Sequence, residues 1–299
     1  MTNKKFAIYR ALLFLTIYFM LNNNILWASV TTTAPDGKIN LTTEKIKKTI
    51  NTCLKQAHGY YHKGDYRQAV NQYNKCIEIY PESYASYYSR GMAYLMLGDN
   101  EQALHDLNRT VQLNPENALP YSGRGNIYHQ LGQHDQAIKD FSRAISLSPQ
   151  DAGLYISRGN SYEGIGKYDE AIKDYSRCVQ IKPDYTEAYY NRGIVYEKTG
   201  RHSSAIKNFT KVIELNPKNA EAYYNRGNAY YEAGNFVNAG RDFSQTIALN
   251  RNFKDAYYKR GLAKTASGLN EEAIKDFRFA AKLGHQESQN LLKKKKLDW

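Results

Sequence analysis

Tyr60, Tyr94, Tyr128, Tyr162, Tyr196 and Tyr230 recur 34 residues apart, and most of the sequence around them recurs with them. The same step carries Gly91 through Gly125, Gly159, Gly193 and Gly227 to Gly261. It also carries Ala69 to Ala273 and Pro81 to Pro217. A fixed period of this length means one small unit copied in tandem, each copy too small to bury its apolar face alone. Residues 50–287 hold seven such units without a gap. The chain is therefore expected to be a solenoid that offers a long surface, not a domain around a central core.

Within residues 84–117, Tyr87, Tyr88, Gly91, Tyr94 and Leu95 fall at helical spacing, as do Ala103, Leu107, Thr110 and Val111. Gly98 and Asp99 mark a tight turn between the two stretches, and Asn114-Pro115 closes the second, because proline cannot continue a helix. Each unit reads as a helical hairpin. Gly91 and Ala103 are its close-approach residues, and Tyr94 is expected to pack over them.

Sixteen residues after each of Arg90, Arg124, Arg158, Arg192, Arg226 and Arg260 comes an Asp, or once an Asn: Asp106, Asp140, Asp174, Asn208, Asp242 and Asp276. The midpoint of each pair is the turn glycine, so an antiparallel hairpin sets the two opposite each other. This favours a structural ion-pair ladder over a phosphate-binding stripe. The first repeat has Gln56 and Gln72 at these slots and loses both charges together. The same symmetry about the Gly64-Asp65 turn predicts a disulfide between Cys53 and Cys76, provided that the chain reaches an oxidising compartment. The alternative is two small buried thiols, as Cys178 occupies the same slot in the fourth repeat without a partner.

The pattern resembles the tetratricopeptide repeat (TPR) family over about four-fifths of the chain. The resemblance implies an all-α, right-handed superhelical solenoid of seven repeats: 50–83, 84–117, 118–151, 152–185, 186–219, 220–253 and 254–287. The array as a whole is taken as 44–287, followed by a capping helix and basic tail at 288–299. Gly284 is expected to stop the last repeat helix. The resemblance also implies a concave groove lined by the first helix of each hairpin. The groove residues expected from helix phase are Tyr88, Asn126, Asn160, Glu163, Glu187, Tyr190, Glu197, Glu221, Tyr224, Asn228, Tyr231 and Tyr258, with Glu232 and Asp255 adding acid. Tyrosines interspersed with carboxylates suit an extended protein or peptide partner carrying basic residues. Some TPR proteins clamp a C-terminal carboxylate with Lys and Asn, but the Lys slots hold Tyr88, Tyr190 and Tyr224 here. That departure argues against an acidic-tail ligand.

Charge supports the same reading. Of the formal net +12, three charges (Lys4, Lys5, Arg10) precede the array and the Lys293–Lys296 run with Asp298 contributes three more. The array is only mildly basic, with Lys139, Lys173, Lys207 and Lys275 expected to point outward from second helices. Nucleic acid is therefore not the expected partner. An adaptor that contacts cell-wall material, and a nucleic-acid-binding solenoid, stand as alternatives.

No Ser-His-Asp motif, P-loop or Cys-x-x-Cys is present, so no enzyme activity and no cofactor are expected. His58 and His62 could share a metal but lack an evident third ligand, so no metal site is assigned. Asn40, Asn108 and Asn208 head sequons that read as chance matches. Residues 1–28 read as a signal peptide, with Lys4 and Lys5 before the apolar run 11–21 and Leu26-Trp27-Ala28 at a plausible cleavage point. Residues 29–43 read as a polar linker. The expected location is periplasmic or secreted, with no stable membrane span after cleavage; an uncleaved N-terminal anchor is the alternative.

Overall fold

The computed structural model describes residues 41–299, with side chains from residue 45, and the expected signal peptide, most of the linker and Asn40 lie outside them. The described residues form fifteen helices and no strand. They are α1 (Leu41–His62), α2 (Tyr66–Ile79), α3 (Tyr84–Leu97), α4 (Asn100–Leu113), α5 (Ala118–Gln130), α6 (His134–Leu147), α7 (Ala152–Gly164) and α8 (Tyr168–Ile181). They continue with α9 (Thr186–Lys198), α10 (His202–Leu215), α11 (Ala220–Glu232), α12 (Phe236–Leu249), α13 (Lys254–Ala266), α14 (Asn270–Lys282) and α15 (Gln286–Lys294). Helix α1 starts at Leu41, so the last three residues of the expected linker are helical. None of the described helices is long and apolar enough to cross a membrane.

Two compact units divide the chain within α5, one ending at Arg124 and the other running from Gly125 to Trp299. In the first, α1 pairs with α2 and α3 with α4; in the second, α7 to α14 pair in successive hairpins and α15 packs on α14.

Backbone chemistry fixes the turns. Gly98 takes φ +82°. Its N–H bonds Leu95 O, and that of Asp99 bonds Tyr94 O, capping the last carbonyls of α3. The Asp99 carboxylate then accepts from Gln102 N at 3.1 Å and starts α4. Seven further glycines adopt positive φ at the same kind of position, including Gly284 at +80°, which ends α14 as expected.

Gly91 and Ala103 approach closely as expected, a methyl group on Gly91 lying 3.3 Å from the Ala103 carbonyl oxygen, but the side chain over them is Leu107 and not Tyr94. A methyl group on Gly159 would lie 2.7 Å from the Tyr175 ring, and one on Gly261 would lie 2.6 Å from Phe277. The ring that fills the space above the glycine comes from the second helix. Tyr73, Phe141, Tyr175, Phe209 and Phe243 are all fully buried, 34 residues apart apart from Leu107 in the second repeat. Tyr94, Tyr162 and Tyr230 instead lie beside the arginine ladder, with Arg90, Arg158 and Arg226 5.8–6.0 Å from their ring centroids.

The C-terminal cap closes the second unit. Leu292 is fully buried with Ala273, Phe277 and Ala281, and Leu291 and Leu297 cover the edge. Lys264, standing in the tyrosine column, reaches Asp276 at 3.0 Å and Glu272 at 3.3 Å.

Candidate functional site

In the second unit, first helices α7, α9, α11 and α13 carry the candidate residues. Tyr190, Tyr224 and Tyr258 occupy one register, 34 residues apart, and each is partly exposed. Each rests on the buried ring of its own second helix: Tyr190 on Phe209 at 5.9 Å, Tyr224 on Phe243 at 5.8 Å and Tyr258 on Phe277 at 5.8 Å. Their outer edges meet the next helix pair. The Tyr190 hydroxyl accepts from Asn225 at 2.9 Å, Tyr224 lies 4.9 Å from Phe253, and Tyr258 stacks on His285 at 4.5 Å. Burial raises all three phenol pKa values, so the rings are neutral donors across the physiological range.

The asparagines form a second row. Asn160 Oδ1 accepts from the Tyr175 hydroxyl at 2.7 Å and from Asn191 at 2.9 Å. Asn228 stands in the same register two repeats on, but its counterparts are Phe243, which has no hydroxyl, and Lys259. Its Oδ1 is buried and has no hydrogen-bond partner among the described residues. Asn126 is partly exposed. Tyr231 meets Phe236 at 5.2 Å and carries the Lys259 ammonium 5.8 Å from its ring centroid.

The carboxylates are less available than the sequence suggests. Glu163 bonds Lys198 at 2.8 Å and the Tyr175 hydroxyl at 3.1 Å. Glu197 faces His202 at 2.8 Å, and Asp255 lies 3.4 Å from His285. Glu187, Glu221 and Glu232 are exposed. Sequence reading missed Asn191, Asn225, Lys198 and His202, because their partners sit in the neighbouring repeat or across a turn. A correction falls in the first unit: Tyr88, expected in the groove, is only 3% exposed and offers no ring face to a partner.

The arginine ladder is structural. Arg158 bonds Asp174 in bidentate fashion at 2.8 and 2.7 Å, and Arg90, Arg226 and Arg260 repeat the arrangement at 2.6–2.9 Å. The remaining guanidinium nitrogen bonds the preceding repeat: Asn74, Asn108, Ser142, Ser176, Thr210 and Ser244 accept it at 2.6–3.1 Å. This column, sixteen residues before each arginine, also escaped sequence reading. In the first repeat Gln72 bonds Gln56 at 3.0 Å, an uncharged substitute for the pair.

Cys53 and Cys76 are joined by a disulfide, with Cα atoms 5.7 Å apart. Cys178 is free and buried, and burial pushes its thiol pKa up to about 12, so it is not a reactive nucleophile. His58 is buried against Ser89 at 3.3 Å and aims at no metal partner; no group of three or more His, Cys, Asp or Glu side chains among the described residues is placed to hold a metal ion.

The period, the glycine turns and the hairpin pairing define a helical-hairpin repeat protein. Sequence models described as TPR repeat match residues 91–132, 125–166, 164–200 and 198–234, and others described as tetratricopeptide repeat match 50–83, 72–105 and 220–253. The chain belongs to the tetratricopeptide repeat family. No curated protein matches it closely enough to count as a relative. Among solved structures, MamA is similar at 28% identity, over 62% of this chain and 98% of that chain, with a TM-score of 0.54. YrrB, described as a TPR protein with an unusual peptide-binding site, is similar at 22% identity over 63% of this chain and 97% of its own, with a TM-score of 0.57. The C-terminal part of a TPR repeat-containing protein from Cytophaga hutchinsonii gives a TM-score of 0.70 at 18% identity, over 79% of this chain and 98% of its own. The last two likenesses concern the fold alone.

Proposed function

We propose that this chain is a non-enzymatic scaffold that binds an extended peptide or protein partner along its first-helix face. The observation that carries the reading is the row of Tyr190, Tyr224 and Tyr258, each partly exposed and each braced from below by a buried ring at 5.8–5.9 Å. Braced tyrosines provide large contact area at small entropy cost, because their rotamers are already fixed. Exposed Glu221 and Glu232 favour basic residues on the partner. Glu163 is paired with Lys198 and Glu197 lies against His202, so the preference is modest. The peptide-binding site of YrrB is consistent with this use of the fold.

The chain is further proposed to be exported, with residues 1–28 as its signal. The Cys53–Cys76 bond supports this, since such bonds persist in oxidising compartments. Affinity purification of the mature chain from its own envelope fraction, with mass spectrometry, tests the function. A partner retained by the wild type and released by synthetic peptides of its own sequence supports the scaffold. Exclusive retention of nucleic acid would overturn it.

A further inference from the structure

Three departures from the 34-residue period converge on one place in the second unit. Gly240 stands where the other repeats have Val70, Leu104, Ile138, Ile172, Ile206 and Ile274. In the preceding repeat Ile206 packs over Ala205, Phe209 and Ala229. Their counterparts Ala239, Phe243 and Ala263 form the next cluster, but Gly240 supplies no side chain to cover it. An added Cβ at Gly240 would meet nothing within 4 Å. Gly240 lines an open groove of about 490 Å³ between α12 and α13.

The rim departs from the pattern as well. Val237, 63% exposed, stands in a column otherwise made of Arg67, Glu101, Asp135, Asp169, Ser203 and Glu271. Leu269, 49% exposed, follows Asp65, Asp99, Gln133, Lys167, Arg201 and Asn235. Two polar columns thus turn apolar where the third loses its filler. Cations line one wall: Lys264 replaces the column tyrosine, and Arg241 is exposed with only a 3.4 Å bond to Asn238. Arg260 and Lys264 share Asp276 and Glu272, which leaves Arg241 as the surplus positive charge at the mouth.

We propose that this opening is a second, separate docking site, for a peptide segment that inserts a leucine-sized aliphatic side chain flanked by carboxylates. The apolar floor takes the side chain that Gly240 lacks, and Arg241 faces the acid. The site is independent of the tyrosine row, which lies on other residues and favours basic partners.

The probe is the peptide Ac-Glu-Leu-Glu-NH2, titrated into the full chain while the methyl resonances of Val237, Ala263 and Leu269 are followed by NMR. The expected result is millimolar binding that shifts these methyls, with roughly tenfold weaker binding of Ac-Glu-Ala-Glu-NH2, because one buried leucine side chain is lost. Ac-Lys-Leu-Lys-NH2 should also bind more weakly. Gly240→Ile restores the repeat pattern, keeps the melting temperature and abolishes binding. Val237→Glu, at an exposed position that is acidic in four other repeats, should weaken binding even if Gly240→Ile folds poorly. No shift at these methyls, or binding unchanged in both variants, overturns the proposal. A concentration-dependent dimer that Gly240→Ile dissolves would assign the pocket to a second copy and overturn it equally.

Discussion

Arg158 reaches Ser142 on the preceding repeat with the one nitrogen that its bidentate pair with Asp174 leaves over, at 3.0 Å. One guanidinium therefore ties its own hairpin together and joins it to its neighbour. Each of its three nitrogens donates to a side chain of the array, which supports a structural ladder over an anion site. In a repeat array, stability is a sum of units and interfaces, and each of these arginines contributes to both.

The fifth repeat offers a natural test of the ladder. Arg192 bonds the amide Asn208 at 2.9 Å where five other repeats have a carboxylate, and burial lowers its pKa, whereas Arg158 beside Asp174 is raised. Asn208→Asp should restore the charge-assisted pair and stabilise the protein by about 1 kcal/mol. Asp174→Asn should cost about 3 kcal/mol, because it strips the partner from a half-buried guanidinium. Urea unfolding midpoints of both variants check the two signs together.

His58 sets a pH dependence. Burial, with the His62 charge in second place, lowers its pKa from 6.5 to about 4. The unfolded chain then binds the proton more tightly than the folded one. Its contribution is unchanged above pH 6.5, falls as pH drops from 6.5 towards 4, and amounts to at most about 3 kcal/mol of lost stability. Replacing His58 with Gln should flatten the stability profile in that window. An equal slope in wild type and variant would contradict the assignment.

The first hairpin should contain the only disulfide. Thiol counting on unreduced, denatured protein is expected to find one reactive group, Cys178. Replacing Cys53 and Cys76 with Ala should lower stability by roughly 3 kcal/mol, for the short loop that the bond closes. Three reactive thiols in material taken from the native compartment would mean that the bond does not form there.

Leu292 seals the last repeat. It is fully buried against Phe277 and Ala281, so Leu292→Ala should cost about 3 kcal/mol and fray the C-terminal hairpin first. Hydrogen exchange of α14 and α15 reads that order.

Much of this was legible in the sequence because hairpin symmetry about a turn glycine is a one-dimensional rule. It pairs Arg158 with Asp174 and Cys53 with Cys76, while glycine's tolerance of positive φ separately places Gly98 and Gly284 at helix ends. What it could not supply was the third dimension between neighbouring repeats. Lys198 neutralises Glu163 and Ser142 completes Arg158 across a repeat boundary, where the twist of one hairpin on the next decides contact. Helix phase alone put Tyr88 on an open face, whereas the structure buries it. The second-helix ring column from Tyr73 to Phe277 did carry a signal, its own 34-residue step. Sequence proximity favours Tyr94 for that role, because Tyr94 shares a helix with Gly91.

The central claim is that partner binding resides in the braced tyrosine row, and one comparison tests it most directly. Affinity of the purified partner should be measured for Tyr190, Tyr224 and Tyr258 replaced by Ala, and separately for the exposed Lys173 and Lys207 replaced by Ala. The account predicts at least about a hundredfold loss for the tyrosine variant, as expected for central aromatic anchors, and little change for the lysine variant. A large loss from the lysines with none from the tyrosines would contradict it and move the binding surface to the second helices.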